Sequence, residues 1–536
     1  MSVVRLADMR KFLVFALCVV GFGALGAPIN LDREFKLRAE TETVKFVPGN
    51  PSDLRHLVGR IDKILEEPDD ESKHAQRGLE EVARLAQDAI VATNPQDRRR
   101  VEIDLVETVL AVNNLERPPI PRHFDAVMLP MFFRQFHRPI GVGVKPAENL
   151  APGPSTDLSL RDPLPSSFWS RPKSIETEDL YNGFGRPSLP SLTNKLCRYR
   201  EPKETSGMNP GYEVECGNEV VKLKFGEQSS ESLVTRMFWA LGFHADPTDY
   251  AASVKVAYDR RIFTEFNSRL PVRTTFTVLW FIPVYSMNLQ PFKDPFDYVA
   301  SAVLRDGRQW SGRELKRHLM TGTNFQNDVE AQIDYIVTTP TNMQIKSPRV
   351  KSIGPWDYGQ LDHAGRREVR GAGLLAAWLG FYDTRFDNTK LRLVGPKKNP
   401  HLEHYFSDLG GGLGRTTGLL SWHGENVNAF PWRFTAPSGN EAGGHSGRDL
   451  KIVGYTPIVR NPAFAAMTLD DARWMARLIG QLHVEQITQA LTASGYDAAA
   501  VHLYARKLLN RRNQMMADLG LGEEFPPLIL DETTAK

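Results

Sequence analysis

Apolar residues recur at three- and four-residue spacing in LRHLVGRIDKILEE and LEEVARLAQDAIVA, and again in VEIDLVETVLAVNNL. That period predicts amphipathic helices from Asp53 to about Asn114. The prolines of ERPPIPRHF forbid their continuation. A stretch rich in Pro, Gly and Ser follows (VKPAENLAPGPSTDLSLRDPLPSSF) and reads as a linker over 140–172. From about Arg198 the period shortens. YEVECGNEVVKLKFG alternates like paired strands, SESLVTRMFWALGF returns to helical spacing, and VRTTFTVLWFIPVYSM is strand-like. From about Pro295 onward, helices are expected to dominate. TLDDARWMARLIGQLHVEQITQALTASG begins at a Thr468 N-cap with Asp471 three residues on. DAAAVHLYARKLLNRRNQMMADLG is expected to close the chain as an amphipathic helix with a solvated basic face.

The pattern is that of a globular chain, and composition agrees. Of 536 residues, 41% are hydrophobic and 24% charged, which excludes a disordered solvating chain. Gly and Pro show no period, so fibrous readings fail. The first residues add an address. Arg5, Arg10 and Lys11 precede an apolar run, Phe12 to Gly26, that is short for a membrane span; Ala24 and Gly26 then suit a signal-peptidase cut before Ala27. An uncleaved anchor is the alternative. No later segment is long and apolar enough to span, so an exported protein, periplasmic or extracellular, is expected. The formal net charge of +2 falls to zero without residues 1–26, which gives no reason to expect a nucleic-acid partner. Cys18 leaves with that leader, and Cys197 and Cys216 remain as an even pair. In an oxidising compartment they are expected to form a disulfide across the loop REPKETSGMNPG.

Four segments carry chemistry. The strand NEVVKLKFG places Lys222 and Lys224 on one face and Val221, Leu223 and Phe225 on the other. In the following helix Leu233, Val234, Met237, Phe238 and Leu241 form an apolar stripe that ends at Gly242. Glu231 is in phase with that stripe, so it leans inward and needs a cation, for which Lys224 is the nearest candidate. The apolar helix Gly373 to Phe381 then runs into Asp383, Arg385, Asp387 and Asn388. LRLV, PKKNPH and LEHYF read as a hairpin, and Asp408 follows in SDLGGGLG. Elsewhere, His401 and His404 of HLEH lack a third metal partner and are expected to decorate the hairpin. Gly410 to Gly414 read as an anion nest or a mobile loop. No G-x-S-x-G, H-E-x-x-H or Walker-type loop is found.

In these motifs the chain resembles the protein kinases. D-T-R-F-D-N is similar to the catalytic loop D-x-K-x-x-N, with Arg385 at the basic position, and Asp-Leu-Gly is similar to the metal-binding Asp-Phe-Gly. The order of strand lysine, helix glutamate, apolar helix, Asp…Asn, hairpin and Asp-Leu-Gly follows the kinase fold over roughly Arg198 to Arg415. The whole chain also resembles a family of uncharacterised exported bacterial proteins with W-A-L-G-F, D-x-[KR]-x-x-N and D-[FL]-G segments. The departures are Phe381-Tyr382 in place of His-Arg, no G-x-G-x-x-G before Lys224 (NGFGR, Asn182 to Arg186, is a weak substitute) and no A-P-E-like segment. The resemblance implies an α+β, bilobal kinase-like fold with a small β-rich lobe at 173–290 and a large helical lobe at 291–536, preceded by the leader at 1–26, an N-terminal helical region at 27–139 and the linker at 140–172. It further implies ATP or another nucleotide with Mg²⁺ or Mn²⁺. Lys224 held by Glu231 would clamp phosphate, Asp383 would be the base with Arg385 beside it, and Asn388 and Asp408 would ligate metal. The substrate would be a protein, glycan or small envelope molecule. The alternative is a kinase-like binding or scaffold module without catalysis.

Overall fold

The computed structural model describes residues 29–39, 42–66, 73–117, 145–184, 195–203, 209–266, 274–277, 283–286, 294–396, 399–416, 422–423, 425–437, 450–455 and 457–530. The leader at 1–26 and the last residues of NGFGR lie outside them, as do parts of the linker and of VRTTFTVLWFIPVYSM. The chain is a mixed α+β structure built around a nine-stranded sheet. Among the described residues, no helix is long and apolar enough to cross a membrane.

An amino-terminal layer comes first. A hairpin, Phe35–Ala39 with Glu42–Phe46, packs with three helices, Pro51–Glu66, Lys73–Val91 and Pro95–Leu115. The helices are those the period predicts. The hairpin is not foreseen, although FKLRA and ETVKF alternate buried and exposed positions as half-buried strands do. The layer rests on a three-stranded sheet, Val350–Gly354, Thr389–Val394 and His401–Phe406, through Ile353, Leu391 and Leu402.

Across the large sheet the strands run Gln309–Trp310, Val299–Leu304, Ile333–Thr338, Lys255–Ala257, Leu196–Pro202, Gly211–Cys216, Glu219–Lys224, Thr341–Lys346 and Thr248–Ala251. All pairs are antiparallel except Leu196–Pro202 with Lys255–Ala257. Helices therefore do not dominate from Pro295 as the sequence reading expects. VASAVL and IDYIVT alternate with β-branched residues, and their partners lie far back in the chain, where a local pattern cannot reveal them. Cys197 and Cys216 sit on adjacent strands, both fully buried, and form the expected disulfide with Cα atoms 4.3 Å apart.

The largest core surrounds the helix Arg367–Leu379, whose residues are buried on every face. Leu469–Gly480, Val484–Ala493 and Ala498–Asp518 pack around it. Thr468 caps the first of these, with Asp471 completing a capping box. The Pro/Gly-rich stretch is irregular yet packed: Phe168 and Trp169 are buried in the same core.

The last helix departs from its expected solvated face. Arg511 and Arg512 are 0% and 2% exposed. The guanidinium of Arg511 donates to the carbonyls of Trp378 (2.9 Å), Ala377 and Pro431. Ala377 and Trp378 are in the last turn of Arg367–Leu379, where the dipole favours a cation; the Ala377 carbonyl also accepts from the Gly380 amide at 3.1 Å. A basic side chain read as solvent-facing is thus the cap of the central helix.

Candidate functional site

Lys224 ends the strand Glu219–Lys224. Its alternate neighbours Val221 and Leu223 enter the sheet core with Phe225, which turns Lys224 to the opposite face. Glu227 then takes a left-handed conformation (φ 53°) at the N-cap, and the helix Gln228–Ala240 begins. Its stripe Leu233, Val234, Met237 and Phe238 is buried in the central core. Glu231 is one turn in and meets Lys224: Nζ donates to Oε2 at 2.8 Å. The amide of Asn342 donates to the same oxygen at 2.8 Å. Asn342, 1% exposed, sits on the neighbouring strand directly opposite Lys224.

The second wall comes from the other end of the chain. Gly380, left-handed at φ 65°, stops Arg367–Leu379, and the chain turns into Asp383. Arg385, 2% exposed, grips the Asp383 carboxylate through Nε at 2.7 Å and lies 3.1 Å from Asp387. Asn388 donates from Nδ2 to the backbone carbonyl of Asp383 (3.0 Å), which leaves its Oδ1 as an acceptor. The Ser407 amide bonds to the Asn388 carbonyl at 3.0 Å, which brings the next residue, Asp408, beside this loop. Asp408 is left-handed (φ 51°), and its carboxylate is in ion-pair contact with Lys224 Nζ.

Lys224, Glu231 and Asp408 therefore form one contiguous ion cluster, and Asp383, Arg385 and Asn388 form a second that touches it through Ser407. The glycine run packs inward. Gly410 to Gly414 are buried, and the Leu413 amide bonds to the carbonyl of Leu379 at 2.9 Å. A Cβ on Gly410 would come within 2.6 Å of Glu227 Oε2, so glycine there lets the carboxylate reach the Asp-Leu-Gly backbone. Of NGFGR, Gly183 packs on Arg236 and Phe184 on Trp239, on a different face of the helix from Glu231.

The electrostatics are those of a crowded cluster of charges. Burial favours the neutral amine of Lys224, but Asp408, Glu231 and Glu227 outweigh it and raise its pKa. Burial likewise opposes the charge on Asp408, yet Lys224, with Lys203 and Lys222 beyond, holds that carboxyl well below the usual range. Glu227 is pushed up to about 7 by burial and by Asp408, Glu231 and Asp383, against the pull of Lys224. Lys203 is pulled down to about 7, by burial and then by Lys222 and Lys224. Burial and neighbouring cations also lower Lys222 and Lys390. Sequence reading misses Glu227, Lys203, Asn342 and Lys390. Glu227 alone carried a local signal, as the residue just before the helix; the others converge only through long-range strand pairing.

The chain matches no protein-family model, no curated protein and no solved structure. Its own residues alone support a functional reading.

Proposed function

We propose that the protein is an exported, kinase-like phosphotransferase that binds a nucleotide with Mg²⁺ or Mn²⁺ and acts on an envelope or extracellular substrate. The observation that carries this reading is the contact of Lys224 with both Glu231 and Asp408, residues 7 and 184 positions away. Phosphoryl transfer needs a lysine for phosphate oxygens, an acid to hold it, and an acid with an amide for the metal. The donor set fits. Asn388 has its Nδ2 committed and its Oδ1 free, and the half-exposed Asp408 carboxylate is ionised at neutral pH, so the two would hold a hard divalent cation. That cation would neutralise phosphate charge when bound.

The chain's own groups divide the remaining work. Lys224 orients phosphate and is itself fixed by Glu231, which Asn342 keeps in place. Lys203, Lys222 and Lys390 lie nearby, their pKa values lowered by burial first and by neighbouring cations second, and an anionic ligand would favour their charged forms. Asp383 accepts the proton of the attacking hydroxyl while Arg385 fixes the carboxylate's orientation. The paired cysteines and the apolar leader support export.

Thermal-shift scans with ATP, other nucleotides and Mg²⁺ or Mn²⁺ test the reading, since a ligand that binds only the native state raises its melting point. The expected result is a nucleotide- and metal-dependent rise that Lys224→Met abolishes. No shift with any pair, from a well-folded baseline, would leave the non-catalytic scaffold as the better description.

A further inference from the structure

Away from that cleft, three buried side chains from separate parts of the chain converge. Glu107 lies on the helix Pro95–Leu115, His363 in the short turn His363–Gly365, and His404 on the strand His401–Phe406. HLEH thus splits. His401 is exposed and meets Glu403 at 3.0 Å, whereas His404 is 2% exposed and faces inward. Glu107 Oε1 is 3.0 Å from His363 Nε2, and its Oε2 is 3.4 Å from His404 Nε2. One ligand atom from each of the three lies within 4.8 Å of the others, the only such group among the described residues.

Both imidazoles turn Nε2 toward Glu107 and have Nδ1 engaged behind. His363 Nδ1 is 2.7 Å from the carbonyl of Asp357, and His404 Nδ1 is 2.8 Å from Ser167 Oγ. This is how proteins orient metal-ligating histidines. A carbonyl only accepts, so Asp357 fixes a proton of His363 on Nδ1 and leaves Nε2 to face a carboxylate oxygen. Either a second proton on Nε2 or a metal cation lies between the two. The spacings of 3.0 and 3.4 Å bracket the edge of a tetrahedron whose bonds are those of Zn²⁺ to N and O, roughly 3.3 Å. Phe168 stacks on His404 at 3.8 Å and meets His363 edge-on at 5.0 Å, which shields the group from water.

We infer that Glu107, His363 and His404 form a binding site for a Zn²⁺-class transition-metal ion that clasps the amino-terminal helical layer to the sheet carrying His404. Imidazole with a single carboxylate selects Zn²⁺, Co²⁺ or Ni²⁺ over Mg²⁺ or Ca²⁺. The clasp is independent of the nucleotide reading.

The test uses the full exported chain, stripped with chelator and reloaded with Zn²⁺ or Co²⁺. Because Cys197 and Cys216 are bonded to each other, they do not compete for the ion. The expected results are about one equivalent of Zn²⁺ retained after dialysis, a visible tetrahedral Co²⁺ absorption band displaced by Zn²⁺, and a melting point several degrees higher with metal than without. His404→Gln is expected to lose the band and the metal-dependent rise; should it fail to fold, the wild-type titration still decides. Retention below about a tenth of an equivalent with no Co²⁺ band would overturn the site and identify the group as a proton-bridged network. Equal metal uptake by a folded His404→Gln variant would overturn it too.

Discussion

Lys224→Met separates the two carboxylates that share its ammonium, and their burial decides the cost. The Asp408 side chain is 45% exposed and can return to water when its partner goes. Glu231 cannot, because its side chain is 8% exposed and only the Asn342 amide would remain to it. Removing one member of a buried pair destabilises by about 3–5 kcal/mol, and the surviving amide bond sets the expectation at the lower end, about 3 kcal/mol. That is more than a hundredfold in the unfolding equilibrium. In a Glu231→Gln background the charge left behind is gone, so the same lysine substitution should cost about 1 kcal/mol or less. Urea unfolding of the four proteins of this cycle, compared at constant slope, gives a coupling of about 2 kcal/mol if the reasoning holds. A single variant within about 0.5 kcal/mol of wild type, or equal losses in both backgrounds, would refute it.

Other perturbations follow from the same geometry. Cys197→Ala/Cys216→Ala reopens a loop of 19-residue separation and should lose roughly 3 kcal/mol by chain entropy, read as a lower urea midpoint; a loss below about 1 kcal/mol contradicts this. Arg511→Met strands the buried carbonyl of Trp378 and removes a donor from those of Ala377 and Pro431, so it should cost about 2–3 kcal/mol, with Arg511→Lys restoring only part because an ammonium cannot span them; full rescue by lysine would sink the capping role. Asp104 is raised to about 6 by burial and by Glu107 and Glu81, so its ionisation destabilises the fold above that pH and the penalty fades as pH falls toward the unfolded value near 3.8. Asp104→Asn should therefore raise stability at pH 7.5 by about 1–3 kcal/mol and change little at pH 4, and an equal gain at both pH values would be inconsistent with that origin.

What could be read along the chain was whatever a single element decides for itself. The phase of Glu231 against Leu233, Val234 and Phe238 told that it leans inward, and the alternation around Lys224 told which face it takes. The helix before Asp383 and the hairpin before Asp408 carried their own periods. Where two distant segments decide together, the pattern was silent. Asn342 reaches Glu231 only because Thr341–Lys346 pairs with Glu219–Lys224. Glu107 and His363 meet His404 across 297 and 41 positions, so HLEH by itself looked like surface decoration. Arg511 looked solvated for the same reason, since the helix carbonyls it meets, those of Ala377 and Trp378, lie more than a hundred positions earlier.

That last contact orders the assembly of the molecule in time. The helix Arg367–Leu379 leads directly into Asp383, yet the donor to its Trp378 carbonyl is contributed by a helix made some 133 residues later in synthesis. Tyr455, another late residue, bonds through its hydroxyl to the carbonyl of Phe381 at 2.8 Å. Until those residues have emerged, the turn that carries Asp383 lacks its fastenings, whereas the Cys197–Cys216 hairpin is complete within its own neighbourhood. A chain made amino-terminus first would thus complete its disulfide-bonded hairpin early and fasten the turn that carries Asp383 late.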